Sequence, residues 1–168
     1  LDSLDEEILD ELNEDAIIIF NKVDNEENCQ KISEIGLKTN AKILPIYKKC
    51  NSKGALNKID SINLNELKEE LKNIEVLLIV NENPLDYITE DDLNSIKKIV
   101  TISYFKNDIV NKSDYVIPGK PWAFKEGSYT NSVNTNQNFK IAVPDIVNEN
   151  LSEIEILMKI SEKLDIDL

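Results

Sequence analysis

The chain has 168 residues, 41% apolar and 30% charged, which is enough for one globular domain with a full core. Its 19 cations are all lysines and face 32 carboxylates, for a net charge of −13; such a surface repels phosphate backbones and anionic lipid heads and argues against nucleic-acid and membrane-surface partners. There is no histidine, which removes Ser-His and Cys-His nucleophile pairs and imidazole metal ligands, and two cysteines are too few for a four-cysteine zinc site or an iron–sulfur cluster.

Residues 1–15 carry eight carboxylates, and Leu1, Leu4, Ile8 and Leu12 fall near helical spacing, so an acidic amphipathic helix with a solvated face is expected. Ala16–Phe20 is a short apolar run of the kind buried on both faces of a sheet. Asn25 is placed to cap a helix to about Thr39, with Cys29, Ile32 and Gly36 on its inner face and Cys29 as a small core residue. Lys42–Tyr47 reads as a second strand, in which Pro45 removes one ladder donor. Cys50–Lys58 reads as a loop, with Cys50 an incidental thiol behind Lys48 and Lys49. Asn63 caps a helix carrying Leu64, Leu67, Leu71 and Ile74, and Val76–Val80 is the clearest buried strand.

Asn81-Glu-Asn-Pro84 ends that strand, because Pro84 lacks a donor and restricts Asn83. Thr89 and Asp92 imitate a capping box for a helix to about Lys97. Ile99–Tyr104 is a fourth strand and Tyr115–Ile117 a short fifth. Residues 119–138 read as an irregular loop, and Phe139–Val143 as a last strand. Ser152 and Glu155 form a capping box for a helix to Leu164, with Leu151, Ile154, Leu157, Met158 and Leu164 turned inward. Apolar strands alternating with amphipathic helices predict an α/β protein: a mostly parallel sheet of about five strands in three layers, with helices on both faces.

Such a sheet binds ligands at the carboxyl ends of its strands. The four glycines, at 36, 54, 119 and 127, form neither a dinucleotide-binding Gly-x-Gly-x-x-Gly nor a Walker loop. After the best strand, Glu82 and Asn83 offer an acceptor and an amide, or form a plain polar turn. Pro118–Asn131 holds the sole Trp and half the glycines; Trp122 and Phe124 are expected to pack this loop onto its own domain, and Glu126 to cap a tight turn at Gly127. Asn111-Lys-Ser113 and Asn150-Leu-Ser152 match the glycosylation acceptor by chance, and the abundance of Asn, Ile and Lys reads as codon bias. No apolar run nears the roughly 20 residues that span a bilayer. No signal peptide is visible, and a start at Leu1 reads as a fragment of a longer protein.

The ordered features resemble the molybdopterin oxidoreductases. Val76–Val80 followed by Glu82-Asn-Pro84 is similar to that family's strand and "G-x-N-P" turn. Ile99–Phe105 followed by Asn107–Lys112 is similar to its strand and "F-x-T-E-T-A" segment. Ser113-Asp-Tyr-Val-Ile-Pro118 resembles "A-D-V-V-L-P", and Lys125-Glu-Gly-Ser-Tyr-Thr-Asn131 resembles "E-K-E-G-T-F-T-N". The matched positions are Glu82, Asn83, Pro84, Asp114, Pro118, Glu126, Gly127 and Asn131. They shape turns on the physical reading, and none is taken as catalytic or metal-binding. The departures are the missing Gly before Glu82, the lost Thr-Glu-Thr-Ala, and Asn131–Gln137 in place of "N-x-E-G-R".

The family holds molybdenum and tungsten catalytic subunits, such as formate dehydrogenases, together with the large iron–sulfur subunit of bacterial NADH–quinone oxidoreductase (complex I). The resemblance implies a single Rossmann-like domain over 1–168. Asn51-Ser-Lys-Gly-Ala55 resembles an "N-x-x-G-A" stretch of the large complex I subunit. With no arginine for an anionic dinucleotide, the expectation is a non-catalytic structural domain of that subunit. Its parent would pass electrons from NADH through iron–sulfur clusters, held upstream, to quinone, on the cytoplasmic peripheral arm among neighbouring respiratory subunits and without membrane insertion. The alternative is a domain holding the nucleotide end of molybdopterin guanine dinucleotide in a molybdenum or tungsten oxidoreductase.

Overall fold

The computed structural model describes residues 11–21, 26–47, 49–144 and 150–166. They form an α/β protein whose parallel strands are flanked by helices, in keeping with a Rossmann-like sandwich. The five parallel strands are present but lie as two sheets, of two and three strands. The described residues up to Asp60, with Ser128–Phe139, make one compact unit; Ser61–Gly127, with the described residues from Lys140 onward, make another.

In the first unit β1 (Ile17–Asn21) pairs in parallel with β2 (Lys42–Ile46), Phe20 opposite Pro45. A parallel pair needs a crossover, and α1 (Glu26–Thr39) supplies it. Gly36 of α1 is buried because β2 comes so close: a Cβ there would lie 2.5 Å from Ile43 Cδ1. Burial along β1 alternates, with Ile17 and Ile19 exposed at 56% and 64%. The expected burial on both faces is therefore corrected to burial on one, since strand side chains alternate and a single crossover covers a single face. Cys29 is exposed rather than a core residue; α1 begins to bury only at Ile32.

The expected acidic helix over 1–15 lies mostly outside the described residues, as do Asn25 and Lys48. Of the described part, Glu11 is helical and a turn follows, in which Asn13 Oδ1 accepts the Asp15 N–H at 3.0 Å. The loop expected at Cys50–Lys58 contains a short helix, α2 (Ser52–Leu56). Asn51 takes a left-handed φ of 62° there, and its Oδ1 accepts the Thr130 N–H at 2.9 Å. The stretch expected to be irregular contains β6 (Gly127–Thr130) and β7 (Asn136–Phe139), which pair. The strand expected at Phe139–Val143 thus ends where it was to begin. Asn131 makes the turn by accepting the Val133 and Thr135 N–H groups, and the Tyr129 and Phe139 rings stack at 4.7 Å.

In the second unit α3 (Leu64–Leu71) starts at Asn63, whose Oδ1 accepts the Asn65 and Glu66 N–H groups while Glu66 reaches back to the Asn63 N–H. The sheet is β3 (Val76–Val80), β4 (Lys98–Ser103) and β5 (Tyr115–Pro118), parallel throughout and in that order. Leu71, Ile79, Ile88, Leu93, Ile99 and Ile109 form the core, and Thr101 and Ile102 of β4 are fully buried. The helix expected at Thr89–Lys97 is a single 3₁₀ turn, Asp91–Leu93. Asp92 does bind the Thr89 N–H and hydroxyl, but Ser95 donates to the Leu71 carbonyl and the Lys97 N–H to that of Glu75, drawing the chain into β4. A helix not expected from the sequence, α4 (Asp108–Lys112), is capped by Asn107, whose Oδ1 accepts the Val110 N–H at 3.0 Å.

The last helix, α5 (Glu153–Leu164), has its full capping box between Ser152 and Glu155. Its buried residue is Ile156, 5% exposed; of the expected inward set Leu151 and Leu157 are half-buried, while Ile154, Met158 and Leu164 are exposed, which corrects those three. Among the described residues no helix is long and apolar enough to cross a membrane. In chemical denaturation Ile156→Ala is expected to cost about 2–4 kcal/mol, as a cavity in a buried site, and Ile154→Ala under about 0.5 kcal/mol.

Candidate functional site

A parallel sheet presents its ligand-binding rim at the carboxyl ends of its strands, where backbone donors and loop residues converge. In the second unit that rim is built from the turn after β3, the residues after β4 and the loop after β5. Asn81 follows β3 in a left-handed conformation with φ of 51°, and its N–H donates to the Ile102 carbonyl at 2.8 Å. Tyr104 and Phe105 follow β4, edge to face at 5.0 Å. Gly119 follows β5 and donates to the Ser103 carbonyl at 3.0 Å.

One carboxylate gathers these segments. Glu153, the first residue of α5, receives Lys125 Nζ on both of its oxygens at 2.7 Å and Asn81 Nδ2 on Oε1. The Glu153 and Lys125 side chains are only 14% and 17% exposed. Burial pushes the Glu153 carboxyl up, but the hydrogen bonds from Lys125 and Asn81 outweigh it and hold the group below its ordinary 4.5. Lys125 also lies 5.4 Å over the Tyr104 ring. A cleft of about 260 Å³ opens here, lined by Lys120, Phe124, Lys125, Glu126, Glu153 and Glu155, among others.

Two acceptors at the rim are unsatisfied. Asn81 Oδ1 and Asn83 Oδ1 are buried and have no hydrogen-bond partner among the described residues. Carboxylates fix the orientation of both amides, because a carboxylate needs a donor: Asn81 gives its Nδ2 to Glu153, and Asn83 gives its Nδ2 to Asp86 at 2.7 Å. Each oxygen is thereby left to a donor from elsewhere, since an unpaired buried acceptor costs free energy.

The sequence-matched positions divide. Glu82, Asn83 and Pro84 stand at the rim, where Pro84 is buried and opens a 3₁₀ turn through Asp86. Pro118 ends β5 opposite Ser103, beside the rim. Glu126 is exposed and lines the cleft, and Gly127 is exposed at the start of β6. Asn131 belongs to the first unit, where it makes the β6–β7 turn. Asp114 sits before β5, at the opposite end of the sheet from the rim. There Lys98 and the Ile99 N–H hold its carboxyl below the usual range. Trp122 is 64% exposed, which corrects its expected packing role, while Phe124 is half-buried. Among the described residues no three acidic or cysteine side chains converge to hold a metal ion. Nothing in the local pattern marks Lys125 as a partner of Glu153, since the Pro-Gly-rich loop carries both Lys120 and Lys125.

No family model matches the chain. It is similar to the F420-dependent formate dehydrogenase subunit alpha of Methanocaldococcus jannaschii, at 27% identity over 161 residues that cover 86% of this chain and 23% of the relative. The chain thus spans about a quarter of the length of that curated relative. Formate dehydrogenases are among the catalytic subunits in the molybdopterin oxidoreductase resemblance, so the similarity supports that superfamily. It does not single out the large iron–sulfur subunit of complex I. Set against the pterin guanine dinucleotide of that superfamily, the rim has two unlike halves. The unpartnered Asn oxygens suit the N–H donors of a base, whereas Lys125, one of two lysines lining the cleft, is already paired with Glu153.

Because its folded-state pKa is depressed, Glu153 contributes stability in full above its ordinary 4.5, and that contribution is lost as pH falls through the lower folded value. Glu153→Ala is expected to destabilise by about 2 kcal/mol at neutral pH, the range for hydrogen bonds to charged groups. In denaturant titrations its deficit relative to wild type should be constant above the ordinary 4.5 and shrink as pH falls through the lower folded-state value.

Proposed function

We propose that the chain is an α/β domain of a molybdopterin oxidoreductase subunit of the formate dehydrogenase kind, placed at the nucleotide end of the pterin cofactor. The observation that carries this reading is the similarity to a formate dehydrogenase alpha subunit over 86% of the chain. The rim adds support, since Asn81 and Asn83, at the strand ends, each keep a buried side-chain oxygen without a partner among the described residues. In that family the molybdenum or tungsten bound by the pterin supplies the redox chemistry, and no residue of this chain is assigned to it. The residues here would bind and orient: Asn81 and Asn83 by accepting from a base edge, Tyr104 and Phe105 by walling the rim.

One observation favours a second reading. With Lys125 neutralised and no arginine in the sequence, the domain suits a cofactor-free structural role, as in the large iron–sulfur subunit of NADH–quinone oxidoreductase. Metal analysis of the full-length protein, purified without air, separates the two. Near-stoichiometric molybdenum or tungsten, guanine nucleotide released by acid hydrolysis, and formate-dependent reduction of an acceptor are expected. Several iron–sulfur clusters with neither metal nor nucleotide would overturn the proposal and favour the second reading.

A further inference from the structure

The Glu153 carboxylate stands where an α/β rim receives an anion. It lies against the ends of β3 and β5, held by a lysine and a side-chain amide, the kinds of donor that hold phosphate oxygens. Backbone approaches it closely: Gly119 is buried, and a Cβ there would lie 3.2 Å from Glu153 Oε1. The positive end of the twelve-residue α5 adds to the field, since Glu153 is in its first turn. Lys125 meets both oxygens of this one carboxylate and the face of Tyr104, so its charge is spent within the domain.

We propose that Glu153 is an internal anion that fills the phosphate position of this rim, so that the domain excludes a phosphate group there and meets any nucleotide through its uncharged parts. The inference deepens the reading of the rim as a nucleotide end, yet its test is separate. It also accounts for the pairing at the rim: Lys125 Nζ and Asn81 Nδ2 both donate to Glu153, while Asn81 Oδ1 and Asn83 Oδ1 have no partner among the described residues.

The test is calorimetric titration of the full-length protein with inorganic pyrophosphate at low ionic strength. Wild type is expected to show no binding at millimolar ligand. Glu153→Gln keeps the side chain's shape and frees the Lys125 charge, so it should bind at least tenfold more tightly, and adding Lys125→Ala should abolish the gain. Wild type binding as tightly as Glu153→Gln, or a folded Glu153→Gln that gains nothing, would sink the idea. Should that variant not fold, lysine labelling of wild type followed by mass spectrometry decides. Slow labelling of Lys125, unchanged by pyrophosphate, supports an internal anion; protection of Lys125 by pyrophosphate overturns it. A parent without molybdenum, tungsten or nucleotide removes the functional reading and leaves this result standing, and the converse also holds.

Discussion

The rim depends on the end of one strand. The last two carbonyls of β4, those of Ile102 and Ser103, accept the N–H groups of Asn81 and Gly119, the first residues beyond β3 and β5. The central strand thus continues its ladder one residue past each neighbour and sets where both flanking segments leave the sheet. β4 holds this register because Thr101 and Ile102 are fully buried, and a one-residue slip would turn their side chains to the opposite faces. Glu153 then finds Asn81 and Lys125 within reach of a single carboxylate.

Asparagine does much of the backbone work usually left to glycine. Among the described residues Asn40, Asn51, Asn81, Asn134 and Asp165 adopt left-handed φ, and no described glycine does. Asn tolerates that region better than most residues because its side chain is short and polar; at Asn51 that side chain also reaches across to accept the Thr130 N–H. The abundance that reads as codon bias is therefore used, at these positions, to turn the chain. Gly36 and Gly119 serve the other purpose, close approach without a Cβ.

The resemblance to molybdopterin oxidoreductases and the similarity to a formate dehydrogenase alpha subunit point the same way, while the charge pattern pulls against a bound dinucleotide. The internal anion proposed for the rim would reconcile them. A domain can keep the family's strand-end architecture and turn its donors inward, and a carboxylate held by lysine and amide is electrostatically a stand-in for a phosphate.

The sequence alone determined the strands β1 to β5, the helices that begin at Asn63 and Ser152, and the break at Pro84. Each of these rests on contacts within four residues: an apolar run, a capping side chain, a missing donor. It did not reveal β6 and β7, whose Ser, Asn and Gln residues carry no apolar alternation, nor which face of α5 is buried. The tertiary structure alone decided that Ile156 and not Ile154 enters the core, that Cys29 and Trp122 stay exposed, and that Lys125 pairs with Glu153 28 residues away. Burial and ion pairing are properties of chain segments brought together in space, and local pattern reports them only when a single element's covering is already known.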